Sequence, residues 1–363
     1  MSTGNAVLLA LVSLSVEGVL CVYTIKNGII SYKRRISAGD KVMPLASSTD
    51  GDALFAHTRG LKKEILYYPL KRLVVENSTF SRTAVEDNFV YLAVSPFSRF
   101  LYAVSYEAHR LVVFELDALK RGESLVVTTV ENIPHAHCVA ISPDERFVYI
   151  SSLSAGFVAT LQWQCQELVV VGRQLIAEDF GPRHIRLNTS SERLYAISEF
   201  QGRIATMRVN PQTGLLTLEE ISSWPAALAG LKDGFPRPAA TDSAQLPANL
   251  LAGLCWGSEI QITPDEGSIL IAERTSSRIL LWQRNSSGCL ICRSWIETET
   301  QPRSIQLSPC GDYLMSCGEK SSMVALYKID HLRGKLVLLD RAPGGYGANY
   351  IEIIELLREE ETL

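Results

Sequence analysis

Six times along the chain a short polar turn separates two apolar runs. The turns begin at Ser48 (STDGDALFA), Ser95 (SPFSRFLYA), Ser142 (SPDERFVYI), Asn188 (NTSSERLYA), Thr263 (TPDEGSILI) and Ser308 (SPCGDYLMS). They are spaced 47, 47, 46, 75 and 45 residues apart. An alternating strand such as YLAV, HIRL or SIQL precedes each turn. After it come a second strand, a polar or Gly-containing bend, and a third strand such as RLVVFEL, RIATMRV or MVALYKI. A fourth follows in each repeat, for example SLVVTTV, GLLTLEEI or KLVLLDR. The apolar period is two rather than 3.6, which excludes a helical repeat.

Four short strands per ~45 residues, repeated radially, specify an all-β, seven-bladed β-propeller of four-stranded antiparallel blades. Six blades are explicit. The seventh is expected from the two chain ends, with residues 348–357 (ANYIEIIELL) giving one strand and residues 5–34 the other three. Pairing the N- and C-terminal strands closes the ring and removes open sheet edges. The expected organisation is one propeller over residues 1–363 with an inserted loop at about 222–257, which accounts for the 75-residue interval. That Ala-, Pro- and Gly-rich loop reads either as a wall or lid of a site or as a surface excursion. The final LLREEETL reads as a helical or frayed tail.

Composition narrows the function. With 35 Lys and Arg against 39 Asp and Glu, the formal charge is −4, and no basic stripe appears, so nucleic acid is not the expected partner. The apolar N-terminus is interrupted by Glu17-Gly18 and lacks a basic leader, so two strands are expected there rather than a membrane segment. Eight scattered cysteines, with only Cys289 and Cys292 in CxxC spacing, read as buried thiols in a reducing, cytoplasmic setting. No GxSxG, P-loop or HExxH is present. His135 and His137 form a close pair without a third ligand at a matching position, so neither a metal nor a cofactor is expected.

The repeat also serves as an internal alignment. Each innermost strand lines the channel, and its first residue, five before the anchor, sits at one mouth. Those positions are Met43, Val90, His137, Arg183, Ser258 and Arg303. The end of the second strand, eleven after the anchor, returns to the same mouth with Arg59, Tyr106, Leu153, Glu199, Arg274 and Glu319. His184 and Glu259 lie one residue further in. Four arginines, a histidine and two carboxylates in equivalent slots are denser than a solvated rim requires. Arginine forks suit phosphate or carboxylate, so a small anion is the expected ligand.

At these residues the chain resembles the seven-bladed propeller lactonases, which include bacterial 6-phosphogluconolactonases and the related fungal carboxy-cis,cis-muconate cyclase. The resemblance is carried by GPRH (181–184), ISEFQGRI (197–204), WGSEIQITPD (256–265), ERTSSRI (273–279), TETQPRSIQLSPCGDYL (298–314) and GEKSSMVALYKI (318–329). It implies a metal-free site at the channel mouth. His137, Arg183, Glu199 and Arg274 match residues of the cyclase pattern proposed to bind and protonate substrate. His184, Arg303 and Arg59 match the phosphogluconolactonase side. Glu319 departs, because that pattern has Gln there. The implied activity is hydrolysis of a small anionic sugar lactone, 6-phospho-glucono-1,5-lactone in the pentose phosphate pathway. Glu199 is the expected base on water, with His137 the alternative base or the acid. Arg183 would hold Glu199 ionised and polarise the carbonyl. Arg274, Arg303 and Arg59 would grip the phosphate, with Tyr106, His184 and Glu259 lining the pocket. A lactone-forming cyclase and a non-catalytic propeller that binds a protein or metabolite are the competing readings.

Overall fold

The structure is a computed structural model and describes residues 7–73, 81–236 and 251–355. Seven four-stranded antiparallel sheets form a propeller. Their inner strands are Ala348–Glu355, Val42–Ser47, Phe89–Val94, Ala136–Ile141, Pro182–Leu187, Gly257–Ile262 and Pro302–Leu307, each packed against the next around the channel. We number the blades 1 to 7 in that order. Blade 1 joins the chain ends as expected: Ala348–Glu355 pairs antiparallel with Leu8–Leu14, and Val19–Lys26 and Ile29–Ser37 complete the sheet. Gly18, at the turn between Leu8–Leu14 and Val19–Lys26, has φ 67°, a left-handed conformation that costs glycine little.

The repeated turn has a local cause. The anchor side chain accepts a hydrogen bond from the backbone N–H five residues on. Ser48 Oγ takes Ala53 at 2.9 Å, Ser142 Oγ takes Phe147 at 3.0 Å, Thr263 Oγ1 takes Ser268 at 3.0 Å and Ser308 Oγ takes Tyr313 at 3.1 Å. Asn188 does the same through Oδ1 to Arg193 at 2.8 Å. Short polar side chains that cap a turn in this way explain why Ser, Thr and Asn recur there.

Middle strands are sandwiched between neighbouring blades, so both faces are apolar. Every residue of Leu8–Leu14 and of Phe147–Ser152 is buried. The outermost strands, such as Ile29–Ser37, are mostly exposed. The core therefore lies between blades: Leu8, Ala10 and Val12 of blade 1 pack with Met315, Val324 and Leu326 of blade 7. Burying each leucine there contributes roughly 1.5–3 kcal/mol.

Among the described residues, two short α-helices, Leu70–Leu73 and Leu116–Arg121, and a 3-10 turn, Ala226–Leu228, depart from the all-strand expectation. The second starts where the Glu115 carboxylate accepts from Ala118 N at 2.6 Å, ends at Gly122 with φ 81°, and buries Leu116 and Leu119. Residues 237–250 of the insertion and the LLREEETL tail at 356–363 lie outside the described residues.

Candidate active site at the channel mouth

The slot residues meet at one mouth because the backbone ties them there. The residue ending each second strand donates to the carbonyl that precedes the inner strand: Glu199 to Gly181 at 2.8 Å, Arg274 to Trp256 at 3.0 Å and Glu319 to Gln301 at 3.1 Å. Each inner strand also breaks register at its first residues, between Ala136 and Cys138, Pro182 and Ile185, Gly257 and Glu259, and Pro302 and Ser304. His137, Arg183 with His184, Ser258 and Arg303 are therefore bulge residues. A bulge re-aims its side chain, which strict alternation would not allow. Adjacent polar residues such as Arg183-His184 in an otherwise alternating strand were the sequence signal for it.

Glu199 is central. Its Oε1 pairs with Arg274 Nη2 of the next blade and lies 3.8 Å from Arg183 Nε of its own blade. Arg274 is only 4% exposed and also donates through Nε to Trp256 O at 3.1 Å. It is aimed at Glu199 rather than outward. Arg183 donates to Ser258 O and through Nη1 to His184 Nε2 at 3.1 Å. Burial, and then the Arg303 charge, push Arg183 down to about 9, so its guanidinium is charged at neutral pH. Burial and the surrounding arginines hold His184 well below the usual imidazole range, so the ring is neutral. Because Nε2 accepts from Arg183, the ring proton sits on Nδ1, 2.9 Å from Glu259 Oε1.

Below these residues lies a polar layer of which sequence reasoning found Glu259 but missed Arg186 and Tyr91. Arg186 Nη2 lies 3.3 Å from Glu259 Oε1, and its Nη1 donates to the Tyr91 hydroxyl. Burial opposes the charge of Arg186, but Tyr91 and Glu259 outweigh it. Burial also raises Glu259 above the ordinary carboxylate value, although both Arg186 and Arg183 pull it down. Arg186 read as one polar residue in an apolar strand. Its position two residues beyond His184, hence on the same strand face, was the available signal.

The remaining slots complete the rim. His137 is 6% exposed, and its ring lies 5.3 Å from that of His184 and 6.1 Å from that of Tyr106. Burial, together with Arg183, His184, Arg303 and Arg274, keeps His137 neutral. His135 diverges from it, stacking on Tyr106 at 4.4 Å and lying 4.7 Å from His109. Arg303 Nη1 pairs with Glu319 Oε1 at 3.2 Å, and Gln301 Nε2 donates to Glu319 Oε2 at 2.9 Å. Burial, and then the field of Arg303, lower Arg59. The described part of the insertion forms a wall: Phe235, Leu251, Leu254 and Trp256 pack with Phe200, the neighbour of Glu199, and with Tyr106 and Leu153. Gly234 N donates to Phe200 O at 2.8 Å.

Among the described residues, five buried nitrogens of the slot residues and His184 have no hydrogen-bond partner: Arg59 Nε, Arg183 Nε, Arg303 Nε, His137 Nδ1 and His184 Nδ1, the last lying near Glu259 without hydrogen-bond geometry. Among the slot residues, four guanidiniums face two carboxylates. The site can therefore accept a ligand rich in anionic oxygen. Among the described residues no three His, Cys, Asp or Glu side chains are grouped as metal ligands would be. No described helix is long and apolar enough to cross a membrane.

Residues 15–352 match the family described as "Lactonase, 7-bladed beta-propeller". The chain is 23% identical over 338 residues to a 6-phosphogluconolactonase of Klebsiella pneumoniae, covering 90% of this chain and 92% of the relative. It is 24% identical over 343 residues to the 6-phosphogluconolactonase of Photorhabdus laumondii, covering 92% and 95%. Among solved structures, a putative 6-phosphogluconolactonase from Bacteroides uniformis superposes with TM-score 0.75 at 17% identity, over 96% of this chain and 100% of that one. The periplasmic gluconolactonase of Pseudomonas aeruginosa gives TM-score 0.75 at 17% identity, over 96% and 99%. The chain belongs to the seven-bladed β-propeller lactonase family and is, by that membership, a lactonase.

Proposed function

We propose that the protein hydrolyses a small anionic sugar lactone, 6-phosphoglucono-1,5-lactone, to 6-phosphogluconate. The observation that carries this is the set of buried arginine and histidine nitrogens without acceptors, in a mouth where positive slot charges exceed negative ones. A phosphorylated sugar supplies acceptors of the required kind, and the names of the bacterial relatives agree with it.

Hydrolysis adds water to the lactone carbonyl, breaks the bond to the ring oxygen and leaves a hydroxy acid. Glu199 takes the proton from water and returns it to the departing ring oxygen. Arg183 faces the charge that develops on the carbonyl oxygen. Arg274, bound to Glu199, fixes the orientation of that carboxylate, a different task from the phosphate grip expected at first. Arg303 and Arg59 receive the phosphate, with Arg303 exchanging part of its pairing to Glu319 for the stronger fork to phosphate. His137, neutral and without a surplus proton, is a hydrogen-bond partner of the substrate rather than the acid.

The test is turnover by the purified protein, in buffer containing a chelator, of 6-phosphogluconolactone and of carboxymuconate, with spontaneous reaction subtracted. Hydrolysis of the first alone is expected. Lactone formation from the second alone overturns the reading.

A further inference from the structure

The opposite face of the propeller carries the anchor turns, and one residue of each turn has a left-handed backbone: Gly51 (φ 71°), Ser98 (52°), Glu145 (56°), Ser191 (59°), Glu266 (58°) and Gly311 (78°). This residue lies three after the anchor and faces the preceding blade. Where it is glutamate, it clasps the two blades together. Glu145 of blade 4 accepts from Phe97 N at 2.6 Å and from Arg99 Nη2 at 2.5 Å in blade 3. Glu266 of blade 6 accepts from Asn188 Nδ2 at 2.7 Å and Ser190 N at 3.1 Å in blade 5. Each glutamate brings a carboxylate to the donors of its neighbour's turn.

The seam between blades 4 and 5 has the receiving side without the carboxylate. Arg146 stands where Arg99 stands in blade 3, four residues after its anchor. The facing residue of blade 5 is Ser191, too short to reach it, and its hydroxyl is buried without a partner. A cavity of about 750 Å³ occupies this seam. Phe147, Tyr149, Leu187 and Val209 give it an apolar floor, and Arg146, Arg193 and Arg208 stand at its rim. Tyr149 is 0% exposed, and its hydroxyl also has no partner. The three guanidiniums share two paired carboxylates: Arg146 with Asp144 at 2.6 Å, and Arg193 and Arg208 both with Glu219 at 3.1 and 3.7 Å. Glu192, exposed on the same rim, pairs with none of them through its side chain.

We propose that this cavity is a second binding site, for a small carboxylate with an apolar body, whose carboxylate takes the place that Glu145 and Glu266 fill at neighbouring seams. The apolar body covers Phe147 and Leu187. The buried Tyr149 and Ser191 hydroxyls donate to the ligand, satisfying groups that are otherwise costly to leave unpaired. The volume is that of an ordinary small-molecule site. It lies on the face opposite the lactonase mouth, so binding there is separable from turnover.

Saturation-transfer NMR of the full chain with benzoate and with hexanoate, in saturating 6-phosphogluconate to fill the mouth on the proposed function, tests this, with benzyl alcohol as the uncharged control. Both carboxylates are expected to bind at ~1–10 mM or tighter and the alcohol at least about tenfold more weakly. Ser191→Glu supplies the missing carboxylate in a backbone conformation that Glu145 and Glu266 already adopt. It is expected to abolish carboxylate binding, raise the melting temperature and leave lactone hydrolysis unchanged. Should that variant fail to fold, Tyr149→Phe and Arg146→Gln are each expected to weaken binding by about threefold to tenfold. The proposal is overturned if neither carboxylate binds at ~10 mM, if benzyl alcohol binds equally well, or if these variants bind as the wild type does.

Discussion

Glu199→Gln separates chemistry from scaffold, because the substitution keeps shape and removes charge at the centre of the network. A general base contributes typically ~10²–10⁴-fold in rate, or about 2.7–5.4 kcal/mol of activation free energy. kcat for the lactone should fall within that range. KM should not rise, since the mouth loses one of two slot carboxylates and an anionic substrate then meets less repulsion. The structure also sets a stability cost. Glu199 is 8% exposed and holds Arg274 and Arg183, and breaking a buried pair costs about 3–5 kcal/mol. At ~2.1 cal/mol/K per residue the chain unfolds with an entropy of roughly 0.8 kcal/mol/K, so Tm should fall by about 4–7 °C. Gln retains a hydrogen bond to Arg274, which favours the lower end. The assay is proton release from freshly prepared lactone, followed by a pH indicator with spontaneous hydrolysis subtracted, beside a thermal melt. A kcat within about threefold of wild type, in a variant whose Tm falls as predicted, would refute Glu199 as the base.

Deleting residues 348–363 removes the inner strand of blade 1, and the protein is expected to be insoluble or to melt far lower; an unchanged Tm counts against ring closure by the termini. Glu352, inside the channel, is pushed up to about 7, chiefly by burial and also by Glu259, against the pull of the Ser47 hydroxyl and Arg186. The folded state thus holds this proton to higher pH than the unfolded chain does. The stability it contributes is complete below the unfolded carboxyl value of ~4.3 and is lost as pH rises through about 7. Glu352→Gln should therefore melt with the wild type near pH 4 and above it at pH 8, by an amount equivalent to roughly 2–4 kcal/mol; parallel melting curves across that range contradict the burial argument.

The propeller was legible in the sequence because its repeat rests on local chemistry. An anchor hydroxyl or amide that caps its own turn recurs wherever the turn does, and the strand period of two follows from burial between blades. The mouth was legible for the same reason, since a fixed offset from the anchor places His137, Arg183, Glu199, Arg274 and Arg303 at equivalent heights. What escaped depends on relations between blades. Arg274 and Glu199 are 75 residues apart in sequence, and only the curvature of the ring turns one guanidinium toward the neighbour's carboxylate. The bulges that turn both Arg183 and His184 inward leave no residue-type signature beyond two adjacent polar side chains. Arg186 and Glu352 sit in strands whose apolar neighbours mask them, although both face the channel network. The helix Leu116–Arg121 was hidden because LDALKR follows a strand directly, with Glu115 serving as both strand end and cap.

The central claim, that this arginine-rich mouth hydrolyses a phosphorylated lactone, is tested most directly by the ratio of kcat/KM for 6-phosphogluconolactone to that for unphosphorylated gluconolactone, in wild type and in Arg303→Ala. Wild type should prefer the phosphorylated substrate. Arg303→Ala should lower kcat/KM for the phosphorylated lactone, chiefly through KM, while leaving the other nearly unchanged, so that the ratio collapses by about tenfold or more. Equal losses on both substrates, or a wild type with no preference for phosphate, would contradict the account.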